Sequence, residues 1–270
     1  MVQRDVMDMV SDLKQKGEAF VLATVVRTVA VTAAKAGAKA VIRPDGTITG
    51  GWIGGGCARG AVLKAAQDVL ADGTPRLISV QPPTELELHG VSAGETKEGV
   101  RFAKNMCPSQ GTMDIFVEAV MPKPSLVICG SSPVAVALAR LASVMGYAIT
   151  ACAPQAEQGA FETADTRIEG YALAVSDIAQ RFIVVATQGK GDEAALRAII
   201  DIDAKYKSFV GSRRKMASIR EKLVVAGASP ENFDAIKAPA GADIGAISPE
   251  EIALSIFAEI TAKRRQKIRS

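Results

Sequence analysis

Apolar residues recur at helical spacing near the start of the chain, where Val6, Met9, Val10 and Leu13 form one stripe that ends by Gly17. A β-branched run over residues 20–29 predicts a strand. Residues 38–43 and 47–53 flank Pro44-Asp45-Gly46, the signal of a hairpin. Gly54-Gly55-Gly56 leads into a helical pattern over 57–70, with Ala61, Ala65 and Val69 on one side. Short strands are expected over 77–80 and 113–120. Between them, residues 81–111 show little periodic order and read as a long loop, a kind of segment that is either functional or mobile. Residues 1–120 thus form a small α+β domain.

Met121-Pro122-Lys123-Pro124 reads as a linker, since two prolines in four residues interrupt both helix and ladder. From 125 to 270 the rhythm changes to alternating strand and helix. Strands are expected over 125–129, 148–153 and 182–186, with a further one ending at Phe209-Val210; helices are expected over 134–145, 192–202 and 213–226. Such alternation implies a parallel, doubly wound, Rossmann-like sheet with helices on both faces. The last helix is marked by Ser248 as N-cap, Pro249 in the first turn and Glu251 completing a capping box. Its stripe of Ile252, Ile256 and Ile260 would close the sheet. The fold class is therefore α/β.

Length and composition narrow the function. The chain has 270 residues, 48% hydrophobic and 23% charged, as expected of a folded globular protein. Aromatics at 4% argue against a base-stacking nucleic-acid binder. The net charge of +3 lies wholly after residue 120, much of it in the basic tail over 263–269, which reads as a solvated helix end. A single histidine, His89, excludes a His-rich zinc or di-iron centre within one chain. Four scattered cysteines do not make a disulfide scaffold. No apolar signal segment opens the chain and no run reaches membrane length, so a cytoplasmic location is expected.

Gly54-Gly55-Gly56-Cys57 is the most informative stretch. Glycines let the backbone turn and let a ligand approach, and free N–H groups at a helix start bind anions and favour a thiolate. A phosphate-bearing or oxyanionic ligand beside a reactive sulfur would suit it; so would a plain strand-to-helix connection with a packed cysteine. Cys107, in Asn105-Met106-Cys107-Pro108, lies in the long loop, where function concentrates. Cys129 and Cys152 end apolar strands and read as packing residues. His89 reads as a solvent-exposed histidine or an acid–base group.

In the second half, Gly130-Ser131-Ser132-Pro133 stands where a Rossmann fold puts its phosphate-binding glycines, but Ser132 replaces the second glycine. No acidic residue ends the second strand, which runs into Cys152-Ala153-Pro154-Gln155. A mononucleotide, or no nucleotide, fits as well as a dinucleotide. Gly211-Ser212-Arg213-Arg214-Lys215 opens a helix with three cations at the wrong end of its dipole, a pattern suited to a phosphate. Asp243, in a glycine-punctuated loop, could cap, turn or bind.

Together these stretches resemble one family. Thr24-Val25-Val26-Arg27, Gly37-Ala38-Lys39-Ala40, Asp45-Gly46-Thr47-Ile48 and Gly54-Gly55-Gly56-Cys57 are similar to the N-terminal domain of XdhC/CoxI-type proteins. Val210-Gly211-Ser212-Arg213-Arg214-Lys215 and the run 238–246 resemble that family's Rossmann domain, and 249–256 continues the likeness. Asn105-Met106-Cys107-Pro108 with Gly111-Thr112-Met113-Asp114 further resembles the CoxF branch, which is linked to carbon monoxide dehydrogenase. The chain departs from the family pattern at Arg59, where Glu is common. It departs again at Gly130-Ser131-Ser132-Pro133, in place of Gly-x-Gly-His, and at Thr187-Gln188-Gly189-Lys190, which lacks a histidine.

The resemblance implies an accessory factor rather than a turnover enzyme. Such a factor would bind molybdenum cofactor (molybdopterin), assist its sulfuration or metal-centre assembly, and pass it to an apo molybdenum hydroxylase such as xanthine or carbon monoxide dehydrogenase. It implies a sulfur donor protein as partner and a homodimer. Cys57 and Cys107 would be the metal- or sulfur-holding pair. The Gly54, Gly55 and Gly56 amides and Arg213, Arg214 and Lys215 would hold the cofactor's phosphate, with Gly130, Ser132, Gly211, Ser212 and Asp243 as further binding positions. A nucleotide (NAD(P), FAD or an adenine nucleotide), copper or an iron–sulfur centre is also compatible. Two other classes remain open: a nucleotide- or flavin-dependent oxidoreductase, and a structural scaffold that needs neither cysteine.

Overall fold

The computed structural model describes residues 5–173 and 180–265, and the chain divides into two compact units, Met1–Pro122 and Lys123–Ser270. The first begins with α1 (Val6–Gln15), β1 (Phe20–Val29), β2 (Lys39–Ile42), β3 (Ile48–Gly51) and α2 (Gly56–Asp72). It continues with β4 (Arg76–Gln81), α3 (Pro83–Leu88), β5 (Thr96–Lys97), β6 (Val100–Lys104) and β7 (Thr112–Val120). The strands form one sheet in the order β3-β2-β1-β7-β4-β6-β5, antiparallel throughout except for β4 beside β6.

Alternation along the strands decides what each face meets. Val21, Ala23, Ile78, Val80, Ile115 and Val117 turn to one face and pack against Ala58, Val62, Ala65 and Val69 of α2. Small alanines on that side of α2 leave little between helix and sheet, and Gly73 in the left-handed conformation ends the helix. A smaller cluster joins Val10 and Leu13 of α1 to Phe20 and Val41. The register of β1 on β7 shifts between Val25 and Arg27, a bulge that sets Arg27 opposite Asp114.

Residues 81–111 are not a loop region, contrary to the pattern reading. They contain α3, β5 and β6, elements of at most six residues that are too brief to establish a period. β6 lies between β4 and the two-residue strand β5, so its side chains stay half-exposed and mix Arg101 and Lys104 with Val100 and Phe102.

The second unit contains β8 (Ser125–Cys129), α4 (Pro133–Val144), β9 (Ala148–Ala153), a 3-10 turn (Gln155–Ala160), β10 (Thr166–Glu169) and β11 (Arg181–Val185). Beyond these come α5 (Asp192–Ile199), β12 (Tyr206–Phe209), α6 (Arg213–Val225), α7 (Pro230–Asp234), β13 (Ile236–Lys237) and α8 (Pro249–Arg265). The six strands are parallel, in the order β10-β9-β8-β11-β12-β13. That order places a topological switch between β8 and β11, and makes this a doubly wound Rossmann sheet.

One face is covered by α4 and α8, the other by α5 and α6. The α8 stripe closes the first face, with Ile256 and Ile260 fully buried. Each such isoleucine contributes roughly 1.5–3 kcal/mol. The Ser248 and Glu251 capping box forms with N···O separations of 2.9 and 3.2 Å. Cys129 and Cys152 are fully buried opposite each other in register, and hydrogen bonding between the thiols together with burial pushes Cys129 up from its usual pKa. β10, an exposed and polar edge strand, is absent from the pattern reading. No helix among the described residues is long and apolar enough to cross a membrane. Residues 1–4, 174–179 and 266–270 lie outside the described residues, and with them part of the basic tail.

Candidate functional site

The glycine run before α2 does three different things. Gly54 is buried with φ of +108°, and a Cβ there would sit 3.0 Å from Cε of Met113, so the turn requires glycine. Gly55 is the N-cap, with no side chain to satisfy the helix's first N–H groups, and Gly56 opens the helix. Neither would meet any atom within 4 Å if given a Cβ, so the helix start is open to an approaching group.

Cys57 follows at the first turn, half-buried, and its Sγ accepts the amide N–H of Met106 at 3.3 Å. That contact brings in the loop between β6 and β7. Asn105, itself buried, braces the loop from inside: Nδ2 donates to the Gly111 carbonyl at 2.6 Å, and Oδ1 accepts from the Cys107 N–H at 2.9 Å. Its own amide donates to the Gln81 carbonyl at the end of β4, which anchors the brace to the sheet. Cys107 is exposed on this loop.

Cys57 and Cys107 therefore line the same small cleft, about 40 Å³, with Gly55, Asn105 and Met113. All four cysteines are free thiols. Among the described residues, no group of three His, Cys, Asp or Glu side chains gathers to hold a metal. What the cleft offers is two thiols lining one opening beside the uncovered start of α2. Such a place suits a soft centre carrying negative charge.

A polar line runs along the other face of the sheet, from residues that alternate with the apolar ones of β4. Arg27 Nε donates to Asp114 at 2.5 Å, Ser79 donates to Asp114 at 2.6 Å, and Gln81 donates to Ser79 at 2.7 Å. His89 Nδ1 lies 3.0 Å from Gln81 Oε1. His89 is exposed, as expected, but it is tethered to buried Gln81, and with Asp114 and Phe102 it lines a cleft of about 350 Å³. The sequence signal is the alternation of polar Ser79 and Gln81 with apolar Ile78 and Val80 along β4.

In the second unit the expected positions separate. Gly130, at φ of +109°, lies against the backbone at Ala186 and Thr187, where a Cβ would come within 2.5 Å of a carbonyl oxygen. Ser132 caps α4 by accepting from Ala135 N–H at 3.2 Å, and it lines one cleft with Ser131 and Thr187. Gly211, Ser212, Arg213 and Asp243 line another. Arg214 points to neither of these clefts and is exposed. Lys215 turns away to pair with buried Asp192, and its Nζ sits 5.8 Å from the centre of the Phe209 ring. Burial works to raise the Asp192 carboxyl, but bonds from Lys215, Thr187 and Gly189 outweigh it and hold it low. The three-cation cluster read from sequence is thus divided, with half-exposed Lys215 paired to buried Asp192.

Comparison with known proteins matches both units. Residues 13–81 match the model described as "XdhC and CoxI family", and residues 126–260 match the "XdhC Rossmann domain". The chain is 29% identical over 231 residues to "Uncharacterized protein YqeB" of Escherichia coli (strain K12), covering 83% of this chain and 40% of that protein. It is 30% identical over 163 residues to a protein of Bacillus subtilis (strain 168) described as a probable xanthine dehydrogenase subunit, covering 57% of this chain and 47% of that protein. The chain thus spans less than half the length of these curated relatives. A solved structure described as a xanthine dehydrogenase from Bacillus halodurans is 19% identical with a TM-score of 0.46, covering 98% of this chain and 96% of that one. With both family models matched and a Rossmann sheet in the second unit, this chain belongs to the XdhC/CoxI family.

Proposed function

We propose that this chain is an accessory factor that takes up molybdenum cofactor, assists the sulfuration or assembly of its metal centre, and delivers it to a molybdenum hydroxylase of the xanthine dehydrogenase type. The observation that carries this reading is the shared cleft of Cys57 and Cys107, with one thiol on a helix start and the other on a braced loop. The Bacillus subtilis relative, described as part of a probable xanthine dehydrogenase, supports the target class.

The donor set fits a soft metal–sulfur cargo. Two thiols are a partial coordination set, suited to a centre held in passing rather than built in. When bound, the cargo supplies a thiophilic metal and its anionic substituents. The chain's own residues do the rest. Cys57 presents its sulfur at the open end of α2, where the Met106 N–H directs a donor at it. Asn105 keeps Cys107 over the same opening. Gly55 and Gly56 leave the first-turn N–H groups uncovered for an oxyanion or phosphate. Within this reading, the Asn105-to-Asp114 stretch favours the carbon monoxide dehydrogenase branch, in which the cargo gains sulfur and copper. A sulfur donor protein and a second copy of the chain would be its partners.

Metal, pterin and labile-sulfur analysis of anaerobically purified protein tests the reading. Wild type should carry molybdenum and pterin, or acquire them from a donor, and Cys57→Ser should lose them while melting at an unchanged temperature. Equal loading of the two proteins would defeat the proposal. A flavin band in the absorbance spectrum would favour the oxidoreductase class instead.

A further inference from the structure

One acidic side chain in the second unit takes no part in the thiol cleft. Glu157 stands half-buried in the 3-10 turn after β9, and its Oε2 accepts the hydroxyl of Ser131, which lies between Gly130 and Ser132. The turn is tied to the strand end, because buried Gln158 donates from Nε2 to the Ala153 carbonyl at 3.1 Å and Glu157 N–H donates to Pro154 at 2.9 Å. Glu157, Ser131 and Lys190 line a cleft of about 680 Å³.

That cleft lies at the carboxyl end of β8 beside β11, where the strand order reverses and open α/β sheets bind ligands. Sheets of this order hold a ribose with an acidic residue beyond the second strand, which accepts from the hydroxyls of the sugar. β9 ends at Ala153 without one. The turn supplies it four residues later, already oriented by Ser131.

The same loop withholds what a pyrophosphate needs. Pro133 has no N–H, and the Ala135 N–H is taken by Ser132 Oγ. A 2′-phosphate would meet the Glu157 carboxylate and be repelled. Small residues along the cleft, Ala156, Gly159 and Ala160, leave room for a base without selecting among bases.

We infer that this cleft binds a 5′-ribonucleotide, recognised through its 2′,3′-diol by Glu157 and Ser131 rather than through a pyrophosphate at the start of α4. The inference is independent of the thiol cleft and of its cargo.

Isothermal titration of the full chain with AMP, 2′-deoxy-AMP, NAD⁺ and NADP⁺ tests it. AMP and NAD⁺ should bind, removal of the 2′-hydroxyl should weaken binding by about tenfold or more, and NADP⁺ should bind less tightly than NAD⁺. Glu157→Gln should erase the preference for the ribose form, and Ser131→Ala should weaken it. Absence of binding by both AMP and NAD⁺ at millimolar concentration overturns the inference. So does equal affinity for AMP and 2′-deoxy-AMP, or a folded Glu157→Gln protein that keeps the preference. Thermal melts report whether each variant is folded, and the four nucleotides on wild type decide the question without any variant.

Discussion

The amide of Met106 donates to the sulfur of Cys57 across 3.3 Å, although the two residues are 49 positions apart. This contact ties the start of α2 to the loop ahead of β7, and it explains how a cysteine on a helix and one on a loop come to line one opening.

If both thiols reach one centre, a trivalent arsenical will bridge them. Phenylarsine oxide should stay bound to wild type at about one equivalent through desalting, because two thiolates chelate what one holds weakly. Cys57→Ser and Cys107→Ser should each release it. Retention by Cys107→Ser equal to wild type would show that the loop thiol does not share the centre.

Asn105 makes a distinct prediction because its two bonds run to different parts of the loop. Asn105→Ala leaves the Gly111 carbonyl and the Cys107 N–H without their side-chain partner, at a cost of about 1–3 kcal/mol. Asn105→Asp keeps the acceptor for Cys107 but sets a carboxylate against the Gly111 carbonyl. Urea denaturation should rank wild type above both variants, and the arsenical should leave both faster than wild type. Unchanged release rates would mean that the brace stabilises the loop without positioning Cys107.

The three glycines before Cys57 should respond unequally to alanine. Gly54→Ala forces a side chain into left-handed backbone and against Met113, at a cost of roughly 1–3 kcal/mol. Gly56→Ala meets no atom and should leave the melting temperature level or slightly raised. Loss of cargo loading by a fully stable Gly56→Ala protein would identify that position as one the cargo approaches. Full loading would assign the run to the turn alone.

These positions also mark what was legible in the sequence. The apolar runs of β8, β9 and β11 are buried on both faces and can be read as a parallel sheet, and the Ser248 and Glu251 box places the start of α8 at the expected residue. β5, β6 and β10 escaped because edge and near-edge strands keep solvated side chains, so alternation gives no signal. Cys57 and Cys107 stood out by their neighbours, but their meeting depends on Asn105, whose two bonds belong to tertiary structure. Glu157 gives no strand-end signal because it stands in the turn after β9, four residues beyond Ala153. Lys215 and Arg213 are near neighbours in sequence, yet side chains two positions apart on a helix point about 200° apart, and Lys215 pairs with Asp192.

Glu259 gives the second unit a pH dependence whose sign can be stated in advance. It stands on α8, accepts from Tyr206 of β12 at 2.6 Å and from Gly241 N–H at 3.1 Å, and pairs with Lys237 of β13. Burial works to raise this carboxyl, but the bonds from Lys237 and Tyr206 outweigh it and hold it below its ordinary value. Burial and the same carboxylate push the Tyr206 phenol up, so Tyr206 stays neutral across the acid and neutral range. A carboxyl lowered in the folded state contributes its full stability above its unfolded pKa of about 4.3, and loses it as pH falls through the lower folded value. Glu259→Gln should therefore cost about 1–2 kcal/mol near pH 7, and the gap from wild type should narrow steadily below pH 4.5. Urea denaturation of both proteins from pH 7 down to pH 3 measures the gap. A difference that stays constant over that range would mean that Glu259 acts by packing and not by charge.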